Sequence, residues 1–332
     1  MTYSVLICDD SALARKQMAK SLPDGLAREV NFATNGQEAV DFIAANPVDL
    51  MFLDLTMPEL DGYQVLEHLK AQGVDLDVIV VSGDIQPEAH NRVMSLGARA
   101  FIKKPAAPAL LESTLSGLGF EASAGAPAAT SDYANITVDL QDSYREVVNV
   151  AMGQAADKLA RLLNVFIKLP VPRVSFIEPS EIQMALEAVS EQQSLSAVCQ
   201  GFIGSGISGE AMLLFADSDF SNVGQLMNYQ VPLSETDSLD VLMDMANILI
   251  SVCLKGIAEQ LDIEFSQGHP VVLGQHCSIA DLVAKIRQKS QQLLAIEISY
   301  DLENQPITCD LLLLFTPQSV PALNSRVSLI ME

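Results

Sequence analysis

The sequence predicts an α/β chain in two parts. The first is an N-terminal doubly wound domain with a five-stranded parallel sheet. The second is an α/β (α+β) region built as a pseudo-twofold duplication. Three observations carry this prediction. Over residues 1–120, short continuous apolar runs alternate with helical patterns. A stretch rich in Ala, Gly, Ser and Pro follows. An acid–acid–amide–proline pattern then occurs twice at equal spacing.

Val5–Cys8, Leu50–Leu53 and Val78–Val81 are short, continuous and β-rich, and Ala100–Ile102 is a further strand. Helical patterns cover Ser11–Leu22, Gln37–Ala45 and Tyr63–Ala71. Unbroken apolar strands alternating with helices mean a parallel sheet buried on both faces. Such sheets place their ligands at the carboxyl ends of the strands.

At those ends stand Asp9 and Asp10 after the first strand, Asp54 after the third, Ser82 at the fourth and Lys104 after the fifth. Three carboxylates on one sheet edge repel one another unless a cation lies between them. A hard divalent ion with oxygen ligands, Mg2+, meets that demand. A lysine and a hydroxyl across from the acids complement a phosphoryl group. The constellation suits a carboxylate that accepts phosphate.

Leu6-Ile7-Cys8-Asp9-Asp10-Ser11, Leu53-Asp54-Leu55-Thr56-Met57-Pro58 with Asp61-Gly62, Val81-Ser82-Gly83 and Phe101-Ile102-Lys103-Lys104-Pro105 closely resemble the receiver domains of bacterial response regulators. The resemblance covers residues 1–120. It implies that Asp54 is the phospho-acceptor, with a cognate histidine kinase as phosphodonor. It implies that Asp10, Asp54 and the carbonyl of Thr56 hold Mg2+, with Asp9 in support. It also implies that Ser82 and Lys104 bind phosphoryl oxygens and that Phe101 is the aromatic switch residue.

Gly119–Asn135 lacks periodicity and reads as a flexible linker. The expected division is therefore 1–120, a linker at 121–137, and a second domain at 138–332. In that domain Asp142-x3-Glu146-x2-Asn149 is followed after 22 residues by Pro172, and Asp240-x3-Asp244-x2-Asn247 after 22 residues by Pro270. Met212–Phe215 and Leu312–Phe315 repeat a second pattern 100 residues apart. The two halves read as one unit duplicated.

The first motif lies on a helix over Leu140–Leu163. Val147, Val148, Ala151, Ala155, Leu159 and Leu162 form its expected buried stripe. Asp142, Glu146, Asn149 and Gly153 line an opposite, exposed stripe, because residues three or four apart share a helix face. Asp142 and Asp240, near helix N-termini, suit compensation of the helix dipole. Glu146 and Asn149 lie deeper, where Asn has poor helix propensity and no capping role. The second motif lies on a helix over Ser238–Leu261.

The acid-x3-Glu-x2-Asn pattern with its proline resembles the CheC/CheX/FliY family of chemotaxis phosphatases, which hydrolyse the aspartyl phosphate of receivers. The resemblance implies that Glu146 pairs with the lysine of a phosphorylated CheY-like receiver protein. Asn149 then orients the attacking water, as Asn247 does at the second site. The second motif has Asp244 where the family has Glu. Its shorter carboxylate predicts a weaker second site, since small misplacements of positioning groups cost about a hundredfold. The attached receiver then acts as a switch on the phosphatase, or as its substrate. The competing reading is a non-enzymatic receiver-binding adaptor or phosphate sink.

The 332 residues carry a formal net charge of −23. Phosphate contacts need clusters of Lys and Arg, so nucleic acid is excluded as a partner, and a DNA-binding output with it. No signal peptide is visible at Met1–Asp10, and Lys255 interrupts the apolar run Asn247–Ile257. No membrane insertion and a cytoplasmic location are expected. Cys8, Cys199, Cys253, Cys277 and Cys309 form no CxxC pair and read as free thiols, with Cys277 and His276 in a loop.

Overall fold

The computed structural model describes residues 2–123, 130–131, 136–177, 195–277 and 293–331. The chain divides into two compact units, Met1–Glu146 with Met331, and Val147–Ile330. The boundary falls inside a helix rather than at 121–137, so the acids Asp142 and Glu146 belong to the first unit.

The first unit runs β1 (Tyr3–Cys8), α1 (Ala12–Ser21), β2 (Ala27–Ala33), α2 (Gly36–Ala45), β3 (Leu50–Leu53), α3 (Gly62–Gln72), β4 (Asp77–Ser82), α4 (Pro87–Leu96), β5 (Ala100–Lys103) and α5 (Pro108–Gly117). Every strand pair is parallel, in the order β5-β4-β3-β1-β2-β6. The order reverses between β1 and β3, which opens a crevice at their carboxyl ends. β6 (Thr130–Ser131) lies within the segment expected as a linker and pairs with Glu29 and Val30 of β2. The rest of that segment lies largely outside the described residues.

The strands bury Val5, Ile7, Leu50, Phe52, Ile79 and Val81 in one cluster with Leu111 and Leu115 of α5. Leu6, Met51 and Val80, their alternating neighbours, are buried as well. Burial on both faces is why these strands read as unbroken apolar runs. Ser11, Asn35 and Asp61 cap α1, α2 and α3 through their side chains, and Pro87 and Pro108 open α4 and α5.

The second unit takes in most of α6 (Leu140–Leu163). It continues through β7 (Ile167–Lys168), β8 (Arg173–Ile177), β9 (Leu195–Gly204), β10 (Ile207–Ala216), α7 (Phe220–Leu226), α8 (Glu235–Gln260), β11 (Ser266–Gln267), β12 (Val271–Cys277), β13 (Leu293–Leu302), β14 (Thr308–Phe315) and α9 (Val320–Met331). His276 and Cys277 therefore end a strand rather than lying in a loop. The sheet is antiparallel, in the order β11-β9-β10-β14-β13-β7, with β12 on β9 and β8 on β13.

This topology is its own mirror in sequence. β9 and β10 match β13 and β14, β8 matches β12, and β7 matches β11. The repeats exchange strands: β8 joins β13 of the second repeat, and β12 joins β9 of the first. At the centre Met212 pairs with Leu312 across antiparallel β10 and β14. Equivalent residues face each other there, as a twofold axis through that pair requires. Ser205 and Gly206 both have positive φ and close β9 onto β10 in a two-residue turn, the geometry that matches strand twist.

α8 begins at Glu235, three residues before the expected start, because Ser234 and Asp237 form a capping box. Its length and hydropathy alone would let it cross a membrane despite Lys255, but 61% of its most apolar window is buried. In α6, Leu163 is buried while Leu162 is 38% exposed, so the apolar stripe leaves Leu159 by a step of four rather than three. The two helices approach closely at Gly256, where an added Cβ would lie 2.8 Å from Cα of Ala151. Gly256→Leu should therefore lower the stability of the second unit by roughly 1–3 kcal/mol or more through overpacking. Gly256→Ala should cost less, because the gain in helix propensity, about 1 kcal/mol, opposes the clash. Urea midpoints of the two variants test this, and an unchanged leucine variant would contradict the close crossing.

Candidate functional site

β1 delivers Asp9 and Asp10, and β3 delivers Asp54, to the switch point of the first sheet. One carboxylate oxygen from each lies within 4.8 Å of the others. The Asp54 side chain has no exposure, and neither of its oxygens accepts a hydrogen bond among the described residues. Burial, then repulsion from Asp9, pushes the Asp10 carboxyl up to about 6. Burial also pushes the Asp54 carboxyl well up, against the pull of Lys104. Clustered acids with unfilled oxygen valences are the donor set that a hard divalent cation takes, so these residues fit Mg2+.

Lys104 follows β5 and is buried among the acids. Its Nζ lies 2.7 Å from Asp9 Oδ2, 3.5 Å from Asp54 Oδ2 and 3.3 Å from Glu146 Oε1. Burial works against its ammonium, but Asp54, Asp9 and Glu146 outweigh that and hold it well above its ordinary pKa. Burial raises the Glu146 carboxyl, and Lys104 pulls it back down. Ser82, fully buried at the end of β4, accepts from the amide of Asp84. Thr56 is buried two residues past Asp54. Phe101 is half-buried and meets His90 edge to face at 5.6 Å.

The first motif is not the exposed face that its spacing suggested. Asp142, Glu146 and Asn149 are all buried. The Asp142 carboxylate accepts from the amides of Ala12 at 3.0 Å and Leu13 at 2.9 Å, with the Ser11 hydroxyl at 3.4 Å. It thus compensates the N-terminus of α1, where its own helix was the expected recipient; Asp139 serves that helix, accepting from the Asp142 amide. Asp142→Ala removes acceptors worth roughly 0.5–2 kcal/mol at a helix N-terminus. Hydrogen exchange at Ala12 and Leu13 should speed up several-fold in that variant, and unchanged rates would show the contact to be energetically empty.

In the second motif Asp240, Asp244 and Asn247 are exposed on α8, as the spacing predicted. Arg15 is a residue the motifs did not flag. It is buried, and its guanidinium donates to the carbonyl of Asp9 at 2.6 Å, fixing the strand end that carries the acids. Its only sequence signal is a basic residue among the apolar positions of α1. The Asp54 amide donates to the carbonyl of Cys8, and the Lys104 amide to that of Ser82, so backbone pairing aligns the site across four strands. Gly62 has no room for a side chain, since a Cβ there would collide with the carbonyl of Asp54.

Residues 5–116 match the family described as the response regulator receiver domain. The response regulator SaeR of Staphylococcus aureus (strain USA300) is 32% identical over 108 residues, which is 32% of this chain and 46% of SaeR. The sensor histidine kinase RcsC of Salmonella typhimurium is 27% identical over 112 residues, covering 34% of this chain and 12% of the kinase. The chain spans less than half the length of these curated relatives. Among solved structures, Thermotoga maritima FliY is similar at 16% identity with a TM-score of 0.43, over 57% of this chain and 96% of FliY.

Proposed function

Since residues 5–116 form a response regulator receiver domain of two-component signalling, we propose that the region after it is a phosphatase. Its substrate is the aspartyl phosphate of CheY-like receivers, and its setting is cytoplasmic chemotaxis signalling. Phosphorylation of Asp54 by a histidine kinase governs its action. The observation that carries this reading is the ion pair of 3.3 Å between Glu146 and Lys104. A motif carboxylate on a receiver lysine is the docking contact that such a phosphatase needs.

The residues divide the work. Glu146 anchors the motif helix on the lysine. Asn149, three positions on and on the same helix face, presents an amide. An amide is no base at neutral pH, so Asn149 acts by orienting water in line with the phosphorus. Lys104 steadies the phosphoryl oxygens. Mg2+ held by Asp9, Asp10 and Asp54 would neutralise charge on the same oxygens. This division requires no nucleophilic triad in the second unit.

The test is phosphate release from a mixture of this chain and a separate CheY-like receiver, both kept phosphorylated by acetyl phosphate with Mg2+. Replacing Asn149 and Asn247 together by Ala should return release to the receivers' own slow rate while sparing receiver binding. Undiminished release would remove the enzyme reading. It would favour the receiver-binding adaptor or phosphate sink, the reading to which the short, exposed Asp244 lends support.

A further inference from the structure

We propose that the first motif has a substrate within its own chain: the acyl phosphate on Asp54. The proposal rests on the phosphatase reading above and names the receiver on which it acts.

Two contacts point to it, both within the first unit. Asp142 takes the Ala12 and Leu13 amides and lies 3.4 Å from the Ser11 hydroxyl, and Glu146 takes Lys104. Asp142 and Glu146 stand at i and i+4, one above the other on the helix. Both acids thus hold to groups of the first unit, one at the N-terminus of α1 and one at the lysine beside Asp9 and Asp54. The engaged groups are closed to others, since the side chains of Lys104 and Glu146 are only 4% and 10% exposed. A separate receiver therefore cannot offer its lysine to Glu146 while this pair holds. The exposed motif of Asp240, Asp244 and Asn247 is the one left for a partner.

Asp54 itself supplies an independent sign. It is fully buried, and among the described residues its two oxygens take no hydrogen bond, with the Lys104 ammonium 3.5 Å away and the acids Asp9 and Asp10 beside it. A phosphoryl group there would add the oxygens that Lys104 and Ser82 can bind. In the reaction a water oxygen bonds to phosphorus and the bond from phosphorus to the Asp54 oxygen breaks. The electron pair returns to the carboxylate, and the proton of the water leaves with phosphate and solvent. The chain thus sets the lifetime of its own signal.

The chain with both units is labelled with acetyl phosphate and Mg2+, the donor is removed, and the loss of Asp54 phosphate is followed at two protein concentrations tenfold apart. Wild-type decay should be first order with one rate constant at both concentrations. Asn149→Ala should slow it at least tenfold. Glu146→Gln, a near-isosteric change, provides a second variant and should slow decay as well. Decay that quickens with concentration would place the reaction between copies and overturn the proposal. So would equal decay in the wild type and in both variants, or failure of the wild type to take label, because a site that never holds phosphate has no substrate of its own. A CheY-like receiver phosphate measured in parallel separates the two ideas. If the chain speeds its decay while Asp54 phosphate ignores Asn149, the phosphatase reading stands and only the intramolecular substrate falls. If neither decay depends on Asn149 or Asn247, both fall.

Discussion

Asp54→Asn is expected to abolish phosphate uptake from acetyl phosphate and, at the same time, to stabilise the first unit. Loss of uptake follows because an amide offers no carboxylate oxygen to phosphorus. The gain in stability follows from the burial of that carboxylate. Among the described residues it has no exposure, no hydrogen bond, and two acid neighbours within 4.8 Å. Buried charge without full pairing is destabilising, and replacing it commonly recovers about 1–3 kcal/mol. Lys104 keeps Asp9 and Glu146 as partners, so the substitution strands no cation. In a chelator, thermal unfolding of the variant should lie several degrees above wild type. Adding Mg2+ should raise the wild type and scarcely move the variant, because the cation stabilises only what binds it. A variant less stable than wild type in chelator would show that the Asp54–Lys104 attraction outweighs the acid–acid repulsion.

Lys104→Met should have the opposite sign and a larger size. The ammonium is shared by Asp9, Asp54 and Glu146, and its side chain is 4% exposed. Removing it leaves buried carboxylates without their cation, a loss of about 3–5 kcal/mol. Against a typical domain stability of about 5–15 kcal/mol, that is enough to unfold the first unit at modest temperature. Millimolar Mg2+ should restore part of the loss by standing in for the missing charge. Adding Glu146→Gln to the variant should restore another part, since the two sites share one network and their effects are not additive. Calorimetry with and without Mg2+ measures both. Equal unfolding temperatures for Lys104→Met and wild type in chelator would mean that the buried pairs contribute nothing net.

The receiver site was legible because its residues sit where chain order alone places them. A run as short as Leu50–Leu53, bounded by Asp49 and Asp54, reads as a strand buried on both sides, and parallel strands bring their carboxyl ends to one edge. Asp9, Asp10, Asp54, Ser82 and Lys104 therefore meet whatever the loops do. The duplication was legible for a similar reason: a repeat of 100 residues between Met212 and Leu312 survives as a pairing of those two residues. Local signals failed at the margins. Leu162 and Leu163 are both apolar, and only the drift of the helix over several turns decides that Leu163 is inside. Arg15 went unflagged because its partner, the Asp9 carbonyl, offers no side-chain signal.

By itself, then, the sequence determined the class of each unit, the acidic edge with its lysine, and the two equivalent motifs. These depend on periodicity and chain order, which act within a few residues or along one strand. Tertiary structure alone decided that Asp142 and Glu146 are buried while Asp240 and Asp244 are exposed. Helical spacing states which residues share a face but not what that face meets. For Asp142 the partners lie 129 and 130 residues away, at the N-terminus of α1, and for Glu146 the partner lies 42 away, at Lys104. Contacts so distant in sequence leave no trace in local periodicity, and only folding brings the two acids to the charges that hold them.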